Sequence, residues 1–309
     1  MGRYIQDRYN NWKAECEQRF KQLKANEEEL NRIYIDIYGL QDELAPKVED
    51  KDVTVYRIID EPDAKERKMR YVLNKRDAIV SLISYAVGCM LGRYSLDIEG
   101  LAYAGGDWDD SKYSTFLQDW DGILPITDEV YFTDDILTRF VDWVKVAYGA
   151  DTLEENLRFV TDALGGSGTP RDVIRNYFLK DFYRDHLKTY KKRPIYWLFE
   201  SGKENGLKAL IYLHRYQPDT IARLRTDYVH ELQSRYRTAV GSLENRIASA
   251  TTAERVKLNK QLAKVTAQAE ELRLYEEKIH HLADQMISID LDDGVKYNYA
   301  IFQDVLAKI

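Results

Sequence analysis

Nine basic side chains form the densest chemistry-bearing pattern in this sequence. Lys188, Lys191, Lys192 and Arg193 sit close together, Arg215 follows, and Arg223, Arg225, Arg235 and Arg237 share what reads as one helix. Tyr190, Tyr196, Trp197, Tyr212, Tyr216 and Tyr236 are interleaved with them. Cationic heads neutralise phosphates, and aromatic rings stack on bases or pack on sugars. The pattern points to nucleic-acid contact, provided that folding gathers these heads on one concave face. Ordinary helix-surface pairing competes with this reading. Glu231 and Arg235 have the favourable i,i+4 order, Arg223 and Asp227 the weaker one. Trp197 and Tyr212 read as core.

The charge is unevenly spread. Over 309 residues the net charge is −7. Ser95 to Gly165 holds 4 Lys+Arg against 16 Asp+Glu, a net of −12, while Lys180 to Arg237 holds 13 against 7, a net of +6. Local field, not the total, decides which ligand approaches each surface. Any of the 16 carboxylates could serve acid–base chemistry, but spacing alone selects none.

Other catalytic signatures are missing. Ser201-Gly202-Lys203 lacks the upstream glycine of a phosphate loop. Gly165-Gly166-Ser167-Gly168 follows a helix rather than a strand, so it is a poor dinucleotide turn. Asp107 to Ser111 starts like a calcium loop, but Lys112 replaces the glycine and Gln118 the glutamate. The 5 histidines have no zinc spacing. Two distant cysteines, Cys16 and Cys89, make no disulfide framework, and no apolar run reaches the roughly 20 residues of a membrane span. The expectation is a cytoplasmic protein that holds no metal or cofactor.

The elements that must position the basic stretch are mainly helical. With 6 prolines and 16 glycines, long helices are favoured. An apolar stripe from Ile5 through Trp12, Phe20, Leu30, Ile33, Ile37 and Leu44 marks one long first helix, broken near Asn26 or Gly39, with Gly39 and Pro46 punctuating its end. This stripe must be covered by the chain itself or by a partner segment. Val53 to Ile58 reads as a strand, and helices are expected over Asp77–Arg93, Asp134–Tyr148 and Thr152–Leu164. Another starts at Pro170, capped by Thr169. Gly88 and Gly92, four apart, would admit a neighbouring backbone. Gly100–Glu129 reads as irregular, acidic and aromatic. Ile195–Phe199 and Leu207–Leu213 flank a glycine-rich link, as in a β-hairpin. From Pro218, Ile221, Leu224, Tyr228, Leu232 and Tyr236 open one helix. Leu258, Leu262, Val265, Leu272 and Ile279 mark a second, with Thr251 and Glu254 as its capping box. The two should pack antiparallel as an arm about 45 Å long. The expected fold is mainly α (α+β): a helical domain around a small β-hairpin, with a long antiparallel helical arm. The expected divisions are 1–46, 47–217 and 218–309.

Several strings carry a family likeness. They are Asn26-Glu-Glu-Glu-Leu-Asn-Arg-Ile-Tyr-Ile-Asp-Ile-Tyr-Gly-Leu40, Ile83-Ser-Tyr-Ala-Val-Gly-Cys-Met-Leu-Gly-Arg-Tyr-Ser-Leu96 and Lys192-Arg-Pro-Ile-Tyr-Trp-Leu-Phe199. Ala209-Leu-Ile-Tyr-Leu-His-Arg-Tyr216, Thr220-Ile-Ala-Arg-Leu-Arg-Thr-Asp-Tyr228, Asn298-Tyr-Ala and Val305-Leu-Ala-Lys308 complete the set. In this order they resemble the C-terminal part of the PglX adenine-specific DNA methyltransferases of BREX phage-defence systems. Members are much longer. Their methyltransferase domain binds S-adenosylmethionine through a glycine-containing loop and holds adenine with an Asn-Pro-Pro-Tyr-type motif, and neither motif occurs here. The resemblance therefore implies no catalytic or cofactor residue in this chain. It implies a clamp that recognises double-stranded DNA beside an N-terminal methyltransferase domain. The alternative is a scaffold that docks other BREX subunits.

Overall fold

The computed structural model describes residues 3–309, which divide into two compact units. One comprises residues 3–83 and 148–167, the other 84–147 and 168–309. Neither follows a single stretch of sequence: the segment 148–167 leaves its neighbours to join the first unit, and the helical arm shares a core with the central sheet.

In the first unit, α1 (Ile5–Tyr38) runs unbroken past Asn26 and ends where Gly39 turns left-handed at φ 66°. Its N-terminal half buries Ile5, Tyr9, Cys16 and Phe20. Tyr9 and Cys16 meet Ile58, Ala78, Leu73 and Phe159. Arg57 closes this packing from above, donating to Glu17 at 2.7 Å with its guanidinium 5.0 Å from the Phe20 ring centre. The expected strand shrinks to β1 (Arg57–Ile58), paired in parallel with β2 (Val72–Leu73). Asn156 on α4 (Leu153–Leu164) accepts the Ile5 N–H at 2.8 Å and so satisfies an orphan donor at the start of α1. α2 (Lys75–Met90) begins here.

The second unit is built on a three-stranded antiparallel sheet. β3 (Ile123–Pro125), β5 (Lys208–Tyr212) and β4 (Tyr196–Glu200) lie in that order, with Ile123 opposite Ile211 and Tyr196 opposite Tyr212. The hairpin thus matches the sequence expectation and gains a third strand. Central β5 is buried throughout, which its Ala-Leu-Ile-Tyr run requires. Lys208 is tolerated there because its ammonium pairs with Glu200 at 2.9 Å and donates to the Leu179 carbonyl at 2.8 Å.

Helix α3 (Ile136–Tyr148) leads into α4. α5 (Pro170–Lys180) opens on a full capping box. The Thr169 hydroxyl accepts the Asp172 N–H at 3.2 Å, and Asp172 accepts the Thr169 N–H at 3.1 Å. α6 (Phe182–Thr189) follows after one residue. α7 (Thr220–Arg223) passes through a π-helical stretch, Leu224–Val229, into α8 (His230–Ser249). Ala250 and Thr251 connect this rod to α9 (Thr252–Asp284). Glu254 accepts the Thr251 N–H at 3.2 Å and its hydroxyl at 2.8 Å. α10 (Val295–Phe302) lies near the C-terminus.

The base of the helical pair is part of the core rather than a free arm. Leu224, Tyr228, Leu232 and Tyr236 on one side, and Leu272, Tyr275 and Ile279 on the other, pack with Trp197, Phe199, Ala209 and Ile211 of the sheet. Each large apolar side chain buried there contributes about 2 kcal/mol. One carboxylate fastens the hairpin loop. Glu271 of α9 accepts from the Ser201 hydroxyl at 2.7 Å, the Glu204 N–H at 2.8 Å and the Gly206 N–H at 2.9 Å. Gly88 and Gly92 admit side chains, not another backbone: a Cβ would lie 2.3 Å from the Tyr94 ring at Gly88 and 2.5 Å from the Trp108 ring at Gly92.

Candidate nucleic-acid interface

The nine candidate cations separate into two kinds. Lys188 lies in the last turn of α6 and Lys191, Lys192 and Arg193 in the connection to β4, and all four are exposed. Here the backbone folds into a compact turn. The Lys192 N–H donates to the Leu187 carbonyl at 2.8 Å, the Lys191 N–H to Lys188 at 3.3 Å and the Arg193 N–H to Tyr190 at 2.9 Å. Lys191 and Lys192 both adopt left-handed conformations, with φ 50° and 60°. A non-glycine residue there costs roughly 1–2 kcal/mol, and two in a row with long side chains are unusual. Pro194 then commits the chain to an extended path into the strand. None of the four heads has a hydrogen bond or ion pair with another described residue. Arg237, on α8, is likewise exposed and unpaired.

The other four are engaged within the protein. Arg215 donates to the carbonyls of Asp119 at 2.8 Å and Trp120 at 3.1 Å, and its guanidinium lies 4.7 Å from the Trp108 ring centre. It organises the acidic aromatic segment instead of facing a phosphate. Gly122, at φ 76°, leaves it room: a Cβ there would lie 3.2 Å from the guanidinium carbon. Arg223 pairs with Asp219 at 2.6 Å, not with Asp227. Arg225 pairs with Glu276 of α9 at 2.7 Å, and Arg235 with Glu231 at 2.7 Å. Neighbouring carboxylates thus already neutralise three of the four helix arginines.

Beneath the exposed turn lies an aromatic stack. His186 stands 4.7 Å from Tyr190 and 4.8 Å from Tyr196, centre to centre, the latter nearly parallel at 18°. Its Nε2 accepts the Tyr196 N–H at 3.3 Å. Burial, helped by the Arg93 charge, lowers its pKa to about 3, so the ring is neutral and adds nothing to the positive surface. Arg93 donates to the Tyr212 hydroxyl at 3.3 Å with its guanidinium 5.3 Å from the Tyr94 ring centre. Only Tyr94 is its neighbour in sequence; Tyr212 lies 119 residues away, so no local spacing marks Arg93 out.

The acidic stretch contains a buried cluster that spacing could not single out. Tyr228, in the π-helical stretch, has its hydroxyl 3.0 Å from Asp121, 2.8 Å from Asp134 and 3.2 Å from the Ile123 carbonyl. Asp119 accepts the Gly122 N–H at 2.9 Å and hydrogen-bonds the Asp121 carboxyl. Burial first, and Asp121 second, push the Asp119 carboxyl up to about 8, so it is protonated at neutral pH. One tyrosine hydrogen cannot serve all the surrounding acceptors, and the Asp119 proton makes up the difference. The cluster is enclosed, and it ties the segment before β3 to the helical pair. Among the described residues, no group of three or more His, Cys, Asp or Glu is arranged to hold a metal ion. No described helix is long and apolar enough to cross a membrane.

No protein-family model matches the chain. It is 46% identical over 301 residues to the adenine-specific methyltransferase PglX of Lacticaseibacillus casei (strain Zhang), an alignment covering 96% of this chain and 24% of that protein. It is 39% identical over 306 residues to the adenine-specific methyltransferase BrxX of Escherichia coli O9:H4 (strain HS), covering 94% of this chain and 25% of that protein. The chain therefore spans about a quarter of the length of these relatives. Along nearly its whole length the sequence is thus similar to the C-terminal region of PglX-type adenine-specific methyltransferases.

Proposed function

We propose that this region holds double-stranded DNA for an adenine-specific methyltransferase, and that the turn Lys188–Arg193 is its phosphate contact. One observation carries the reading: four neighbouring cations are exposed without partners on a turn whose two left-handed lysines oppose local backbone preference. Strain retained at an exposed basic turn favours a binding role over a structural one. A target adenine must leave the base stack before it can be methylated, so the flanking duplex has to be gripped. S-adenosylmethionine belongs, in this reading, to the remaining part of the parent protein, as does the chemistry.

The test is duplex binding by this chain against salt concentration. Each phosphate contact adds about 0.9 to the slope of log affinity against log salt. Changing Lys191, Lys192 and Arg193 together to Ala should lower that slope by about 2.7. Changing Arg223 and Arg235 to Ala should leave affinity within about twofold, because their partner carboxylates cancel their charge. A folded chain with no affinity at low salt, or a triple variant that binds like the wild type, would overturn the proposal.

A further inference from the structure

Beyond its buried first half, α1 carries an apolar face that nothing in its own unit covers. Leu30, Ile33, Tyr34, Ile37 and Tyr38 follow the i, i+3, i+4, i+7, i+8 spacing of a single helix face. They are 44 to 70% exposed, and Leu44 beside them is 54% exposed. The segment after Gly39 folds back along the helix: Asn31 donates to the Pro46 carbonyl at 3.2 Å, and Glu28 accepts the Val48 N–H at 3.1 Å. Between the two runs a cleft of about 260 Å³, lined by Tyr34, Ile35, Tyr38, Leu40 and Leu44. A contiguous apolar face this long on a charged helix marks an interaction site.

Its rim is acidic. From Glu27 to Leu44 the chain has six Asp+Glu and one Arg, and that Arg32 pairs with Glu29. Two copies meeting through this face would bring the two acidic rims together, which disfavours a self-dimer. Related proteins carry the matched region together with about three times as much polypeptide again. We propose that the Leu30–Leu44 face docks on the remaining three-quarters of the PglX-type methyltransferase, against an apolar helix face rimmed by Lys or Arg. This rests on the family relationship and not on the DNA reading.

The test compares cysteine accessibility in two settings. Ile37→Cys is placed in this chain alone, and in full-length L. casei PglX whose matched quarter is replaced by this chain. Val256→Cys, 71% exposed near the turn between α8 and α9, serves as the control for a folded and reachable chain. The natural thiols Cys16 and Cys89 are both buried. Maleimide labelling at position 37 should be fast in the isolated chain and at least about tenfold slower in the full-length protein. Equal rates in both settings would overturn the proposal. So would slow labelling of the isolated chain that quickens on dilution, since a second copy would then be the occupant.

Discussion

The proton held by Asp119 makes the stability of the second unit fall as pH rises through neutrality. A carboxyl whose pKa stands at about 8 when folded, against 3.8 ordinarily, is protonated in the native state while the unfolded chain is ionised. Its contribution is fully present below 3.8 and is lost as pH climbs to about 8. His186 acts in the opposite direction, since its folded pKa of about 3 lies below the ordinary 6.5, but its effect is confined below pH 6.5. Between pH 6.5 and 8 the His186 effect has faded, and Asp134, whose carboxyl burial also raises, acts in the same direction as Asp119. One proton across 1.5 pH units, at about 1.4 kcal/mol each, gives a loss of about 2 kcal/mol. Asp119→Asn should abolish it. The amide oxygen still accepts the Gly122 N–H, and the amide N–H replaces the shared proton toward Asp121. Urea unfolding followed by tryptophan fluorescence suits the measurement, because Trp108, Trp120, Trp143 and Trp197 all belong to the second unit. Wild-type stability that is flat or rising from pH 6.5 to 8 would refute the reasoning. So would a variant that retains the wild-type slope.

Two further outcomes follow from the geometry. Changing Lys191 and Lys192 to Gly relieves the left-handed strain, and should raise stability by about 1 kcal/mol while weakening duplex binding. Denaturant midpoints and salt-dependent binding on the same samples check both halves. Glu271→Ala strips the hairpin loop of the acceptor for three donors, and should cost about 3 kcal/mol, read as a lowered urea midpoint.

Much of this architecture is legible in the sequence wherever periodicity is long or a cap is explicit. The helix stripes from Ile5 and from Ile221, the Thr169 and Thr251 starts and the hairpin all have local signals, and the structure places them within a few residues. β3 escapes such a reading because three residues in an aspartate-rich stretch have no period, and their partner strand lies some 85 residues away. α6 escapes because its eight residues are mostly polar. The site is less legible still. Glu231–Arg235 is an i,i+4 pair, visible in the sequence and present at 2.7 Å. By contrast, Arg225–Glu276 spans 51 residues, and Arg215 meets carbonyls about 95 residues away. No spacing rule separates a free lysine from an arginine that the fold will neutralise.

The six π-helical residues from Leu224 to Val229 have a consequence for aim. They give the rod leading into α8 one residue more than an α-helix of that length would hold. Every side chain beyond them is rolled by about a hundred degrees relative to an uninterrupted helix. Deleting a single residue there would close the bulge and keep Arg237 on its present bearing, whereas straightening the stretch into regular α-helix with its sequence intact would swing Arg237 round by that angle. The direction in which the far half of the rod points its charges is thus set by one surplus residue near its root.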